Sequence, residues 1–106
     1  NGSFYVAGSN GNLYRTTSAN LNSWSTISTQ SKNKILGISQ NADTAGQLTA
    51  VGENGFVYTI PKTGAAKVET VFNGVPYLVD TVKFGNLWIV AGSNSKGGFI
   101  GYTDKN

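Results

Sequence analysis

The sequence predicts an all-β chain of antiparallel strands, and three observations carry that prediction. One hairpin pattern is written three times, at residues 4–16 (FYVAGSNGNLYRT), 48–60 (LTAVGENGFVYTI) and 88–103 (WIVAGSNSKGGFIGYT). Short runs such as residues 67–72 (KVETVF) alternate apolar with polar residues, the period of a strand with one covered face. No 3.6-residue periodicity persists, because glycine or asparagine interrupts the chain about every ten residues.

Taken in order, residues 4–7 and 12–16 form the first hairpin. Asn10-Gly11 is its turn, since these residues tolerate the positive φ angles of tight hairpins. A polar connection leads to a short alternating strand at 24–28 (WSTIS), and a loop at 30–33 leads to another at 34–39 (KILGIS). After a long turn at 41–47 come strands at 48–51 and 56–60, joined by Asn54-Gly55. Pro61 opens a turn before the strand at 67–72, and Asn73-Gly74-Val75-Pro76 makes the next. The longest strand is expected at 77–84. Gly85-Asn86 then turns into 87–91, and a longer loop than in the other two hairpins leads to 99–103.

The hairpins recur at a fixed interval. Gly8, Gly52 and Gly92 end their strands at spacings of 44 and 40 residues. A four-stranded unit of about 40–45 residues is the period of a β-propeller blade. The chain therefore reads as about two and a half four-stranded antiparallel blades, in units near residues 1–30, 34–73 and 76–106. A β-sandwich is the alternative, but it does not explain why the hairpin repeats with its Gly-x-Asn turn. The first unit lacks a first strand and the third a fourth. Since rings need about four to eight blades, a single partial propeller domain within a longer protein is expected, or a ring completed by neighbouring blades or subunits.

Ser18, Asn20, Asn22 and Trp24, after the strands ending in VAG or AVG, resemble the Asp-box repeat of sialidase-like propellers, a Ser-x-Asp-x-Gly-x-Thr-Trp motif between third and fourth strands. The box here is one residue short and carries Asn for both Asp and Gly. Residues 102–106 (YTDKN) look like the start of another, and the middle unit has none. The resemblance implies a propeller of the kind found in phage tail and bacterial surface proteins, hence an extracellular or virion-surface setting.

Composition narrows the function. Asn, Gly, Ser and Thr supply 47 of 106 residues, whereas only 12% are charged and the net charge is +3. Polarity therefore comes from neutral side chains, which suits hydroxyl-rich ligands, and the scattered basic residues offer no track for nucleic acid. The absence of cysteine and histidine removes thiolate and imidazole ligands and the commonest general base. No metal or other cofactor is expected, and no apolar run is long enough for a membrane-spanning helix.

The five carboxylates are Asp43, Glu53, Glu69, Asp80 and Asp104. Glycoside hydrolysis needs two of them facing each other. Glu69 reads as a solvated charge, Asp43 and Asp104 as turn residues, and Asp80 as a buried structural group on the face of Leu78 and Val82. With Arg15 the only arginine, the cluster with which sialidases grip a carboxylate is also missing. No catalytic residue is expected, and a sialidase-like hydrolase would need its catalytic groups outside this sequence. The aromatic residues Phe4, Tyr14, Trp24, Phe56, Tyr58, Tyr77, Phe84, Trp88 and Phe99 are expected to wedge between blades. Val6, Ala50 and Val90 are equivalent in the repeat and are expected to be buried alike.

In a propeller, turns between second and third strands share a rim with the connections between blades. That rim would gather Ser9, Asn10, Lys32, Lys34, Glu53, Asn54, Asn94 and Lys96, a set of amides, hydroxyls and lysines able to bind hydroxyl-rich or anionic partners. The resulting expectation is a non-enzymatic recognition module with a cell-surface glycan as partner. A purely architectural fibre component is the alternative.

Overall fold

A computed structural model describes residues 3–17, 22–41 and 46–104. Ser18, Asn20, Asp43, Lys105 and Asn106, used in the sequence readings, lie outside the described residues.

All regular structure among the described residues is strand. The elements are β1 (Ser3–Ala7), β2 (Asn12–Thr17), β3 (Ser25–Ser28), β4 (Ile35–Gln40), β5 (Leu48–Gly52), β6 (Phe56–Ile60), β7 (Lys67–Val71), β8 (Tyr77–Phe84), β9 (Leu87–Asn94) and β10 (Gly97–Asp104). They form three antiparallel meanders: a first sheet β1-β2-β3, a middle sheet β4-β5-β6-β7 and a last sheet β8-β9-β10. Each strand stands where the sequence predicts one.

The hairpin turns differ more than their letters suggest. Asn54 and Gly55 both have positive φ, 63° and 77°, the conformation of a two-residue turn matched to strand twist. In the first hairpin only Gly11 does, at 84°, and the loop closes by Gly8 N donating to Asn12 O at 2.8 Å. The expected long loop of the third hairpin is instead a continuation of its strands. Asn94 pairs with Gly97, so only Ser95 and Lys96 turn, and Asn94 Oδ1 accepts from Lys96 N at 2.9 Å.

The central strands of the middle sheet, β5 and β6, are buried on both faces. Leu48, Ala50, Tyr58 and Ile60 meet Leu13 and Ile27 of the first sheet. Val51 and Val57, pointing the other way, meet Leu78, Trp88 and Val90 of the last. The middle and last sheets touch backbone to backbone at one side, where a Cβ on Gly37 of β4 would lie 2.5 Å from Val79 O of β8. Farther across, Phe72 and Phe99 hold the sheets apart by an edge-on ring contact, centroids 5.9 Å apart. The pair is thus a wedge, narrow at β4/β8 and wider toward β7/β10.

The glycines that end the repeated strands fit between chains. A Cβ on Gly52 would lie 1.9 Å from Lys34 O, and one on Gly92 1.9 Å from Tyr77 O. Both positions need glycine because the first strand of the same sheet begins against them.

Several expectations fail, each for a physical reason. Val6 is 51% exposed whereas Ala50 and Val90 are buried, because no sheet covers the outer face of the first. Phe4, Trp24, Tyr77 and Phe84 are exposed rather than buried between sheets. Asp80 is exposed, its carboxylate accepting from Thr81 N at 2.9 Å. A bulge between Leu78 and Asp80 breaks the alternation that would have pointed it inward. Asp104 is no turn residue but the end of β10, paired with Leu87.

Candidate functional site

Backbone geometry stitches one rim of the molecule together. Gly11 O, at the first hairpin turn, accepts from Thr29 Oγ1 at 2.6 Å. Next along, Ser31 Oγ and the Tyr58 hydroxyl share a hydrogen bond of 2.9 Å, tying the inter-sheet connection to the middle sheet. Glu53 and Lys34 are bound twice: Lys34 N donates to Glu53 Oε1 at 2.7 Å and Glu53 N to Lys34 O at 3.0 Å. Asn54 Nδ2 donates to Asn33 Oδ1 at 2.7 Å, and Asn54 N to Pro76 O at 2.8 Å. A shallow hollow of about 380 Å³ lies beside it, lined by Asn54, Asn73, Gly74, Val75 and Pro76.

The rim therefore brings Lys34, Glu53 and Asn54 into one cluster with the connections on either side. Ser9, Asn10 and Lys32 are exposed along the same edge. Lys96 is exposed at the tip of the β9–β10 hairpin, whereas Asn94 is half-buried within β9. The side chains do two jobs. Glu53 and Asn54 spend polar atoms holding the turns in place, while the ammonium groups of Lys32, Lys34 and Lys96 face solvent on exposed residues.

A second cleft, of about 430 Å³, opens at the opposite end between the middle and last sheets. Its floor is polar and ordered. Trp88 Nε1 donates to Thr49 Oγ1 at 3.2 Å, and Thr49 Oγ1 donates to Asn41 Oδ1 at 2.8 Å. Lys83 Nζ sits 5.2 Å from the centroid of the Trp88 ring, within cation–π range. On the facing wall Glu69 accepts from Thr59 Oγ1 at 2.8 Å and pairs with Lys67 Nζ at 3.3 Å. The Glu69 side chain is only 8% exposed, so the reading of it as a solvated charge is corrected: it lies in the wall of the cleft between two sheets, bonded to Thr59 and paired with Lys67. The Lys83–Trp88 pair was legible, because the Gly85-Asn86 turn places these residues opposite each other. Glu69 was not, since its surroundings depend on how two sheets stack.

Comparison with protein-family models, with curated proteins and with solved structures finds no match to this chain.

Proposed function

We propose that this chain is a non-enzymatic recognition module of an exposed assembly, built as a sector of a β-propeller, with a surface glycan bound along its rim. The sector reading is supported by the wedge between the middle and last sheets and by the successive meanders. In a propeller the blades are radial, so neighbours converge at their innermost strands and splay outward.

The observation that carries the binding reading is the rim itself. Its turns are held in place by their own hydrogen bonds, with exposed amides, hydroxyls and three lysines on one edge. Ordering such a surface beforehand lowers the entropic cost of binding, and its lysines attract acidic sugars by a field that salt screens. An extracellular or virion-surface location follows from this reading, as does the absence of any cofactor.

The test is a combined Asn54→Ala and Lys96→Ala substitution, read by binding of the intact chain to a glycan array including sialylated and uronic-acid glycans. Loss of about tenfold or more in affinity is expected, the scale of one or two charge-assisted hydrogen bonds. Unchanged binding with unchanged thermal unfolding would leave the rim a set of structural turns.

A further inference from the structure

The three hairpins contain residues in the same register, and comparing them exposes two unmatched surfaces. Ala7 pairs with Leu13, Val51 with Val57, and Ala91 with Ile100. Leu13 and Val57 are fully buried because another sheet lies on each, yet Ile100 is 80% exposed. Around it on the same outer face stand Val82, Phe84, Ile89 and Tyr102, all exposed. The opposite face of the repeat tells the complementary story. Ala50 and Val90 are buried against the sheet before them, while Val6, their equivalent, is exposed together with Phe4 on the outside of the first sheet.

Within the chain the same pairing of faces is used twice. The Ala7/Leu13 face of the first sheet takes the Ala50/Tyr58 face of the middle one. The Val51/Val57 face of the middle sheet takes the Leu78/Val90 face of the last. The last sheet thus ends in a face of the accepting kind and the first begins with one of the inserting kind. Neither uncovered face carries a lysine or arginine; the register places two carboxylates, Asp80 and Asp104, on the outer face of the last sheet, opposite Ala91 and Leu87.

We infer that the outer face of the last sheet, centred on Ile100, receives the outer face of the first sheet, centred on Val6, of a second copy of this chain. The contact continues the internal stacking in the same direction. It is heterologous, joining two different surfaces, and so produces a closed ring if its rotation closes and a filament if it does not. The inference rests on the exposed-assembly reading above and specifies how the assembly grows. Exposed apolar patches of this kind commonly mark a protein contact.

The chain has no cysteine, so introduced thiols report on this contact alone. Val6→Cys and Ile100→Cys variants of the full chain are prepared separately, and disulfide formation under mild oxidant is followed for each alone and for the mixture. The mixture is expected to cross-link at least about tenfold faster than either variant alone, because a bound complex holds the two thiols together. Light scattering should show wild-type chain at two or more times the monomer mass, and Ile100→Lys as monomer with an unchanged circular dichroism spectrum. Two results would overturn the inference: a wild-type chain that stays monomeric at high concentration, or single variants that cross-link as fast as the mixture, which would mean a like-with-like contact. The rim variants should associate as wild type does, so failure of glycan binding and failure of association remain separate outcomes.

Discussion

The first and middle sheets carry nearly the same hairpin, yet they stand in different surroundings. At the centre of the middle sheet both faces are covered, and the four residues from Val57 to Ile60 are all buried, polar threonine included. In the first sheet Tyr5, Ala7 and Leu13 turn inward while Phe4 and Val6 on the alternate face remain in solvent. The local sequence makes the hairpin. Position in the stack decides which of its faces becomes core, and therefore which substitutions matter.

The contrast breaks most sharply at equivalent residues given the same charge. Val90→Asp puts an uncompensated carboxylate into the layer with Val51 and Leu78, and is expected to destabilise by about 4 kcal/mol. Val6→Asp, measured by denaturant unfolding in dilute solution, should cost no more than about 0.5 kcal/mol, the range of surface changes. Equal losses at the two positions would contradict the layer assignment.

Next in size is the pair of strand-ending glycines. Gly52→Ala drives a methyl against the Lys34 carbonyl and should cost about 2–3 kcal/mol as strands separate to admit it. At Gly8 the nearest atoms to a Cβ are Tyr14 Cε2 at 3.1 Å and Asn12 O at 3.2 Å. The ring can move aside, so Gly8→Ala should cost about 1 kcal/mol or less. Thermal midpoints of the two variants give the comparison directly.

The smallest effect separates the two tyrosines that occupy the same place in their hairpins. Tyr58 is fully buried with its hydroxyl bonded to Ser31, so Tyr58→Phe should lose about 1 kcal/mol. Tyr14, half-exposed in the first sheet, should tolerate the same change within about 0.5 kcal/mol.

The strands were readable because turn residues and period-two alternation are local properties. Faces were readable only where alternation ran unbroken. The bulge after Leu78 inserts one residue and turns Asp80 outward, and nothing in YLVDTVKF announces it. The exposure of Val6 was hidden for a different reason: repeat equivalence says which face a residue occupies, not whether another sheet lies on that face. The rim cluster of Lys34, Glu53 and Asn54 was legible from turn positions, since each connection must return to the end where the hairpin turns lie. The Glu69 and Lys83 cleft needed the stacking of two sheets, which no local pattern of either strand specifies.

The meander order of the middle sheet has a consequence for how the molecule comes apart. Every pairing within β4–β7 joins neighbours in the chain, so loop closure costs little and the sheet can assemble early. The flanking sheets each rest on it by one face, and either can open while the rest stays closed, in the nearest-neighbour manner of repeat architectures. Amide exchange should therefore be graded along the stack. Ala50, Val51, Val57 and Tyr58 would hold their protons through partial openings that release those of the outermost strands. The middle sheet is the template on which the two outer ones condense, and the last to lose its structure.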